Sequence, residues 1–168
     1  DLQGGVLTKG QDKLQLRIVT RKNDDYEKAL GILAGQWRQL GVDVQTQVVD
    51  TSDSGQNFTQ QVLQQRGYDV LLDELVIGAD PDVFAYWHTR GPQNFSSYSN
   101  AVSDDALLGA LARSEPELRS LKYIAFAKQW LADVPAIGLY QSQFIYVQGK
   151  NIASFQPDEV VVDPGEHY

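Results

Sequence analysis

Leu14, Leu16 and Ile18 alternate with Gln15 and Arg17 near the start of the chain. That period-two pattern belongs to a strand with one buried face. The period then changes. Tyr26, Leu30, Leu33, Trp37 and Leu40 recur at spacings of four, three, four and three, which predicts an amphipathic helix. Asp24 followed by Glu27 resembles a capping box at its start, and Gly41 suits the left-handed residue that closes its end. Val42, Val44, Thr46 and Val48 alternate as a second strand. A polar loop over residues 50–55 leads to a second helix predicted over residues 58–66 and stopped by Gly67. Residues 68–76 read as a third strand, apolar enough in Val70, Leu71 and Leu72 for a central place. Strand–helix–strand–helix–strand implies right-handed crossovers and a largely parallel sheet. In such sheets ligands sit beyond the carboxyl ends of the strands.

The pattern differs in the second half. Asp104 or Asp105 is expected to cap a helix carrying Leu107, Leu108 and Leu111. Ser114, Pro116 and Glu117 mark another helix start, followed by Leu121, Ile124, Ala125, Lys128 and Leu131, with Pro135 as its stop. Residues 136–141 and 144–148 predict two short strands joined tightly at Ser142. Residues 152–168 turn polar and Pro-containing, and read as an extended tail leaving the domain.

At 168 residues the chain has room for one domain with a real core and hardly for two, so residues 1–168 read as a single α/β unit. The formal net charge of −8 and the lack of any Lys/Arg run argue against a nucleic-acid partner and against anionic membrane surfaces. No cysteine is present, which removes disulfides, thiolate metal sites and Cys nucleophiles. The chain begins at Asp1 with a polar, Gly-rich segment and contains no methionine, which reads as a piece of something larger.

The densest chemistry lies in YDVLLDELVIGADPDVFAYWHTRGPQNFSSYSN, residues 68–100. Rings beside amides and hydroxyls, on a loop that follows a buried strand, are the makings of a small-molecule site. Asp80-Pro81-Asp82 is a carboxylate pair for acid–base or metal chemistry, or else a helix start with Asp80 as cap, Pro81 in first position and Asp82 favouring the dipole; the helix start is the stronger reading. Phe84 reads as packed, with Trp87 or His88 bordering a cleft, against the alternative that all of these rings are core. His88 lacks a visible activating partner, there is no G-x-S-x-G elbow, and no G-x-G-x-x-G or P-loop pattern occurs. Asp24, Asp25, Asp73 and Glu74 invite an acidic phosphoryl-transfer pocket. That reading fails because Asp73 and Glu74 lie inside the strand pattern and the second half abandons strand–helix alternation. No metal site and no cofactor is implied.

Taken in order, GVDVQTQVVD, RGYDVLLDELVIGADPDVFAYWHTRG, NFSSYSN, DDALLGALARSEPELRSLKYIAFAKQWLADVPAIGLYQ and the hairpin after it resemble the C-terminal lobe of the family 5 extracellular solute-binding proteins of ABC importers. The resemblance spans roughly residues 14–155. It implies a periplasmic-binding-protein-like lobe, a mixed, mostly parallel sheet flanked by helices (β-α-β-α-β, then helices and a β-hairpin). It also implies a non-catalytic receptor that closes two lobes on an oligopeptide or similar small solute and delivers it to a membrane permease. Its setting would be extracytoplasmic and bacterial, periplasmic or lipid-anchored through a segment outside this chain. Expected partners are the solute, the permease and the other lobe of the parent. Many peptide-binding members carry an Asp three residues before the Asp/Glu-Pro of this motif, pairing with the ligand ammonium; here that position is Ile77. Ile77, Asp80, Asp82, Trp87, His88, Asn94 and Tyr98 are the expected ligand-binding residues, with Glu74 a substitute for the missing charge. Two other readings are an α/β enzyme domain using Asp80 and Asp82 or His88, and a signalling or interaction receptor.

Overall fold

The structure, a computed structural model, describes residues 2, 3, 5–52, 57–78, 80–141, 147 and 149–151. The chain separates into two compact units, Asp1–Leu75 and Val76–Tyr168.

In the first unit, β1 (Leu2–Gln3), β2 (Val6–Lys9) and β3 (Asp12–Lys13) form a small antiparallel sheet in that order. The predicted strand beginning at Leu14 follows as β4 (Gln15–Arg21), and the second predicted strand is β5 (Asp43–Val49). They pair in parallel from Gln15 opposite Asp43 to Arg21 opposite Val49. The third strand, β6 (Val70–Leu72), is shorter than expected and pairs with the other side of β4. The order is therefore β5-β4-β6, and β4, not the third strand, is central among the described residues. The burial explains this: Ile18, Val19 and Thr20 of β4 are at most 1% exposed, and the Thr20 hydroxyl donates to the Leu72 carbonyl at 2.8 Å. Beyond Leu72 the side chains of Leu75, Val76 and Ile77 stand in solvent, so apolar composition alone overestimated the strand.

The amphipathic stripe forms α1 (Asp24–Gln39). Its cap is Asn23 rather than Asp24. The Asn23 side chain accepts from the Asp25 and Tyr26 amides at 3.0 and 3.3 Å, which leaves Asp24, Asp25 and Glu27 in the first turn, where the helix dipole favours them. Leu30 and Ala34 are buried against Ile18 and Val44, with Trp37, Val42, Val70 and Leu72 packed around them. Leu40, expected on the buried stripe, is exposed beyond the helix end. Gly41 takes the predicted left-handed conformation at φ +87°. The second predicted helix is instead a single π-helical turn, Thr59–Leu63, in which the Gln64 amide reaches the Thr59 carbonyl. Arg66, at φ 51°, carries the reversal that had been assigned to Gly67.

The second unit holds α2 (Phe84–Trp87), α3 (Ala101–Leu111) and α4 (Pro116–Asp133). The cap of α3 is Asn100, not Asp104 or Asp105. Its extended backbone lets Oδ1 accept from the Val102 and Ser103 amides, so the helix begins earlier than predicted. Pro116 opens α4 as expected, and Val134, left-handed at φ 48°, ends it just before Pro135. Val83, Trp87, Tyr98, Ala106, Leu107 and Phe126 form the core. Residues 136–141 form no strand ladder among the described residues; of the partner predicted over 144–148, all but Val147 lie outside them. The predicted tail, residues 152–168, lies outside them entirely.

Candidate ligand-binding surface

The structure brings four of the expected site residues together, facing inward. Trp87 is 8% exposed and meets Trp130 and Tyr98 edge-on, with ring centroids 5.3 and 6.4 Å apart. Such T-shaped contacts place it in the core, so it forms no open wall on this surface. His88 is also buried, stacked on Phe84 at 4.1 Å. Its Nδ1 accepts from the Arg90 amide at 2.9 Å, which puts the ring proton on Nε2, 3.9 Å from the Asp104 carboxylate. The chain can turn tightly after α2 because residue 91 is glycine: a Cβ there would stand 2.4 Å from the Ala85 carbonyl oxygen.

Asn94, 3% exposed, staples the loop that follows. Its Nδ2 donates to the carbonyls of Tyr98 (2.7 Å) and His88 (3.1 Å), and its Oδ1 accepts from the Tyr98 amide and the Ser96 hydroxyl, both at 3.1 Å. The Tyr98 amide can only donate, so the orientation of the side-chain amide is fixed. Tyr98 extends the staple to two helices: its hydroxyl lies 2.7 Å from Ser103 Oγ on α3 and donates at 2.7 Å to Asp133 at the end of α4. Burial, opposed by Ser103 and assisted by Asp133, raises the Tyr98 pKa. The Tyr98, Gln129 and Asn100 hydrogen bonds hold the Asp133 carboxyl below the usual range. Asn94 and Tyr98 were expected to hold a ligand, and these bonds engage them with the protein itself.

Asp80, Asp82 and Ile77 face outward. Asp80 Oδ1 accepts from the Asp82 amide at 3.1 Å, and Asp82 Oδ1 accepts from the Phe84 amide at 2.9 Å. Two successive side-chain turns lead the chain into α2. The helix-start reading was thus right in kind and wrong in register: Val83, with no side-chain bond, occupies the cap position expected of Asp80. Asp80 also pairs with Arg119 at 2.7 Å, and that guanidinium holds its carboxyl below the ordinary range. Ile77 is 52% and Val76 73% exposed.

In the first unit, chemistry gathers at the carboxyl ends of β4 and β6. Asp73 and Glu74 lie past the end of β6, not inside it as the alternation had suggested. Arg21 pairs with Asp73 through Nε at 3.0 Å and through its terminal nitrogen, and sits over the Phe58 ring. The Tyr26 hydroxyl donates to Glu74 at 2.7 Å; burial first, then that bond, pushes its pKa up to about 12. Sequence reading missed Arg119, Tyr86 and Asp133 as partners. The Arg119/Tyr123 spacing of one helical turn was a signal for the first.

No protein-family model matches the chain, and no curated protein does. Solved structures do. The oligopeptide-binding protein AppA of Bacillus subtilis, in complex with a nonapeptide, is 21% identical with a TM-score of 0.69 over 79% of this chain and 26% of that one. The Escherichia coli murein tripeptide binding protein MppA gives 21% and 0.63 over 76% and 25%. NikZ of Campylobacter jejuni, in complex with Ni(L-His), gives 23% and 0.58 over 78% and 27%. These neighbours are family 5 solute-binding proteins. The chain has the fold of a solute-binding-protein lobe. It spans about a quarter of the length of these solved structures. Among the described residues no helix is long and apolar enough to cross a membrane.

Proposed function

We propose that this chain is one lobe of the extracytoplasmic receptor of an ABC importer. It binds an oligopeptide or a similar small solute between itself and a second lobe, and it catalyses nothing. The observation that carries the reading is the fold likeness across about three-quarters of the chain to proteins described as binding a nonapeptide, a murein tripeptide and a nickel–histidine complex. The ordered motifs of residues 14–155 support it independently.

Several large apolar side chains also stand open. Ile32 is 62%, Leu121 61% and Leu131 68% exposed. Single exposed apolar residues are ordinary, but a longer receptor would cover some of these. On this reading the ligand-facing part of the second unit is the outward residues 76–78 and 80–82, with Ile77 as an apolar contact and Asp80 and Asp82 shaping the loop. Trp87, His88, Asn94 and Tyr98 act behind it as support. In the first unit, Glu74, oriented by Tyr26, takes any cationic group of the solute. The receptor hands its solute to a membrane permease.

Because a clamp shares its binding energy between two lobes, this chain alone binds weakly or not at all. Calorimetry with tri- to pentapeptides tests this. No heat is expected from the isolated chain, and micromolar affinity in it would overturn the two-lobe account.

A further inference from the structure

The outward stretch after β6 is tied down at two points within the second unit. At one end the Tyr86 hydroxyl on α2 donates to the Val76 carbonyl at 3.2 Å. At the other, Arg119 on α4 donates to Asp80 Oδ1 at 2.7 Å. The same Asp80 oxygen accepts from the Asp82 amide, so the guanidinium, the carboxylate and the start of α2 form one chain of hydrogen bonds. Val76 and Ile77, the exposed apolar pair, lie between the two ties. A Cβ added at Gly78 beside them would meet nothing within 4 Å.

Exposed ion pairs usually contribute little, because two long side chains must be held still. Arg119 is already held. It also donates to the Tyr123 hydroxyl at 3.0 Å and lies over that ring, 5.3 Å from its centre. A guanidinium stacked and bonded on its own helix has lost most of its freedom before it meets Asp80. This geometry gives Arg119 more effect on the shape of the loop than on the stability of the fold.

We infer that Arg119, through Asp80, is a positioning residue for ligand recognition: with Tyr86 it anchors Asp80 and Val76 so that Val76 and Ile77 present one fixed apolar surface to the solute. The inference rests on the receptor reading above. A loop fixed in its binding shape avoids the cost of ordering on binding. Removing the tie therefore weakens affinity while leaving the core of Val83, Trp87, Tyr98, Ala106, Leu107 and Phe126 in place.

The test uses the full-length receptor that carries this chain, with Arg119→Gln and Arg119→Lys variants. Uptake of a defined equimolar mixture of tri- to pentapeptides is read by native mass spectrometry, beside Tm and amide exchange at Asp82, whose amide donates to Asp80. Arg119→Gln should reduce uptake about tenfold, the scale on which loop preorganisation acts, and speed exchange at that amide, with Tm lowered by no more than about 3 °C. Arg119→Lys keeps a charge for Asp80 and loses the planar stacking, so it should recover part of the uptake. Wild-type uptake in Arg119→Gln, or a loss of uptake matched by a collapse of Tm in both variants, would overturn the positioning role. A wild-type receptor that takes up no peptide would instead remove the peptide-receptor reading, and this inference with it.

Discussion

Replacing Asn94 separates a staple from a ligand contact, because the two roles predict opposite patterns of loss. Asn94→Ala deletes four hydrogen bonds at once. Not all of the partners are stranded. The Tyr98 amide keeps the Ser96 hydroxyl at 3.2 Å, and the His88 carbonyl keeps the Gly91 amide at 2.8 Å. The Tyr98 carbonyl, which accepts from Asn94 Nδ2 at 2.7 Å, bears the main cost. An unpaired buried carbonyl costs about 1–3 kcal/mol. With the small cavity added, the total comes to about 3 kcal/mol. For a chain of this size that is a fall in Tm of about 6–12 °C. Loss of the near-ultraviolet circular dichroism of Trp87, Trp130 and Tyr98 on heating gives the midpoint. Asn94→Asp is the sharper probe: at neutral pH it sets a carboxylate against two carbonyl oxygens, and stability should return on acidification as that carboxyl protonates and can donate again. If Asn94→Ala melted within about 2 °C of wild type while full-length receptor lost its ligand, the staple account would be wrong and Asn94 would face the solute.

Two further substitutions probe other parts of the structure. The Tyr26 pKa is raised from 10.0 to about 12, so its contribution is complete below pH 10 and is lost as pH rises toward 12. Tyr26→Phe should flatten that alkaline decline in a denaturant series, and an unchanged slope between those limits would contradict the Tyr26–Glu74 bond. Val134 is β-branched in a left-handed conformation and 56% exposed, so glycine relieves strain at little cost in burial. Val134→Gly should raise Tm by about 1–3 °C, and a fall of that size would show that the strain is not there.

Much of the fold could be read from period alone. The stripe from Tyr26 to Trp37 and the alternation through Ile18 and Val44 give α1, β4 and β5, because one buried face leaves its spacing in the sequence. Two helix starts were misplaced where an asparagine lay upstream of the expected acidic cap, one residue before Asp24 and four before Asp104. Asn23 and Asn100 supply the same side-chain oxygen as Asp24 or Asp104, and only backbone geometry says which is used. The third strand was overextended because Leu75, Val76 and Ile77 carry strand-like composition while standing in solvent.

In the candidate site, residue chemistry alone did not separate inward from outward side chains. An amide or phenol that recognises a solute has the same chemistry as one that bonds its own backbone, so Asn94 and Tyr98 looked like ligand contacts. Position relative to Gly91, where the chain must pass against α2, was the clue that this loop folds inward. Ile77 was singled out as the apolar residue at the usual charge position; its 52% exposure, and the bonds from Tyr86 to Val76 and from Arg119 to Asp80 on either side of it, come from distant positions that no local pattern links.

The most direct test of the receptor assignment is native mass spectrometry of the full-length protein carrying this chain, purified from its host without added ligand. The account predicts a mass adduct in the range of a small peptide or similar solute, lost on partial unfolding and absent from the isolated chain. A full-length protein that stays free of adduct and takes up no small solute when challenged with them would contradict it.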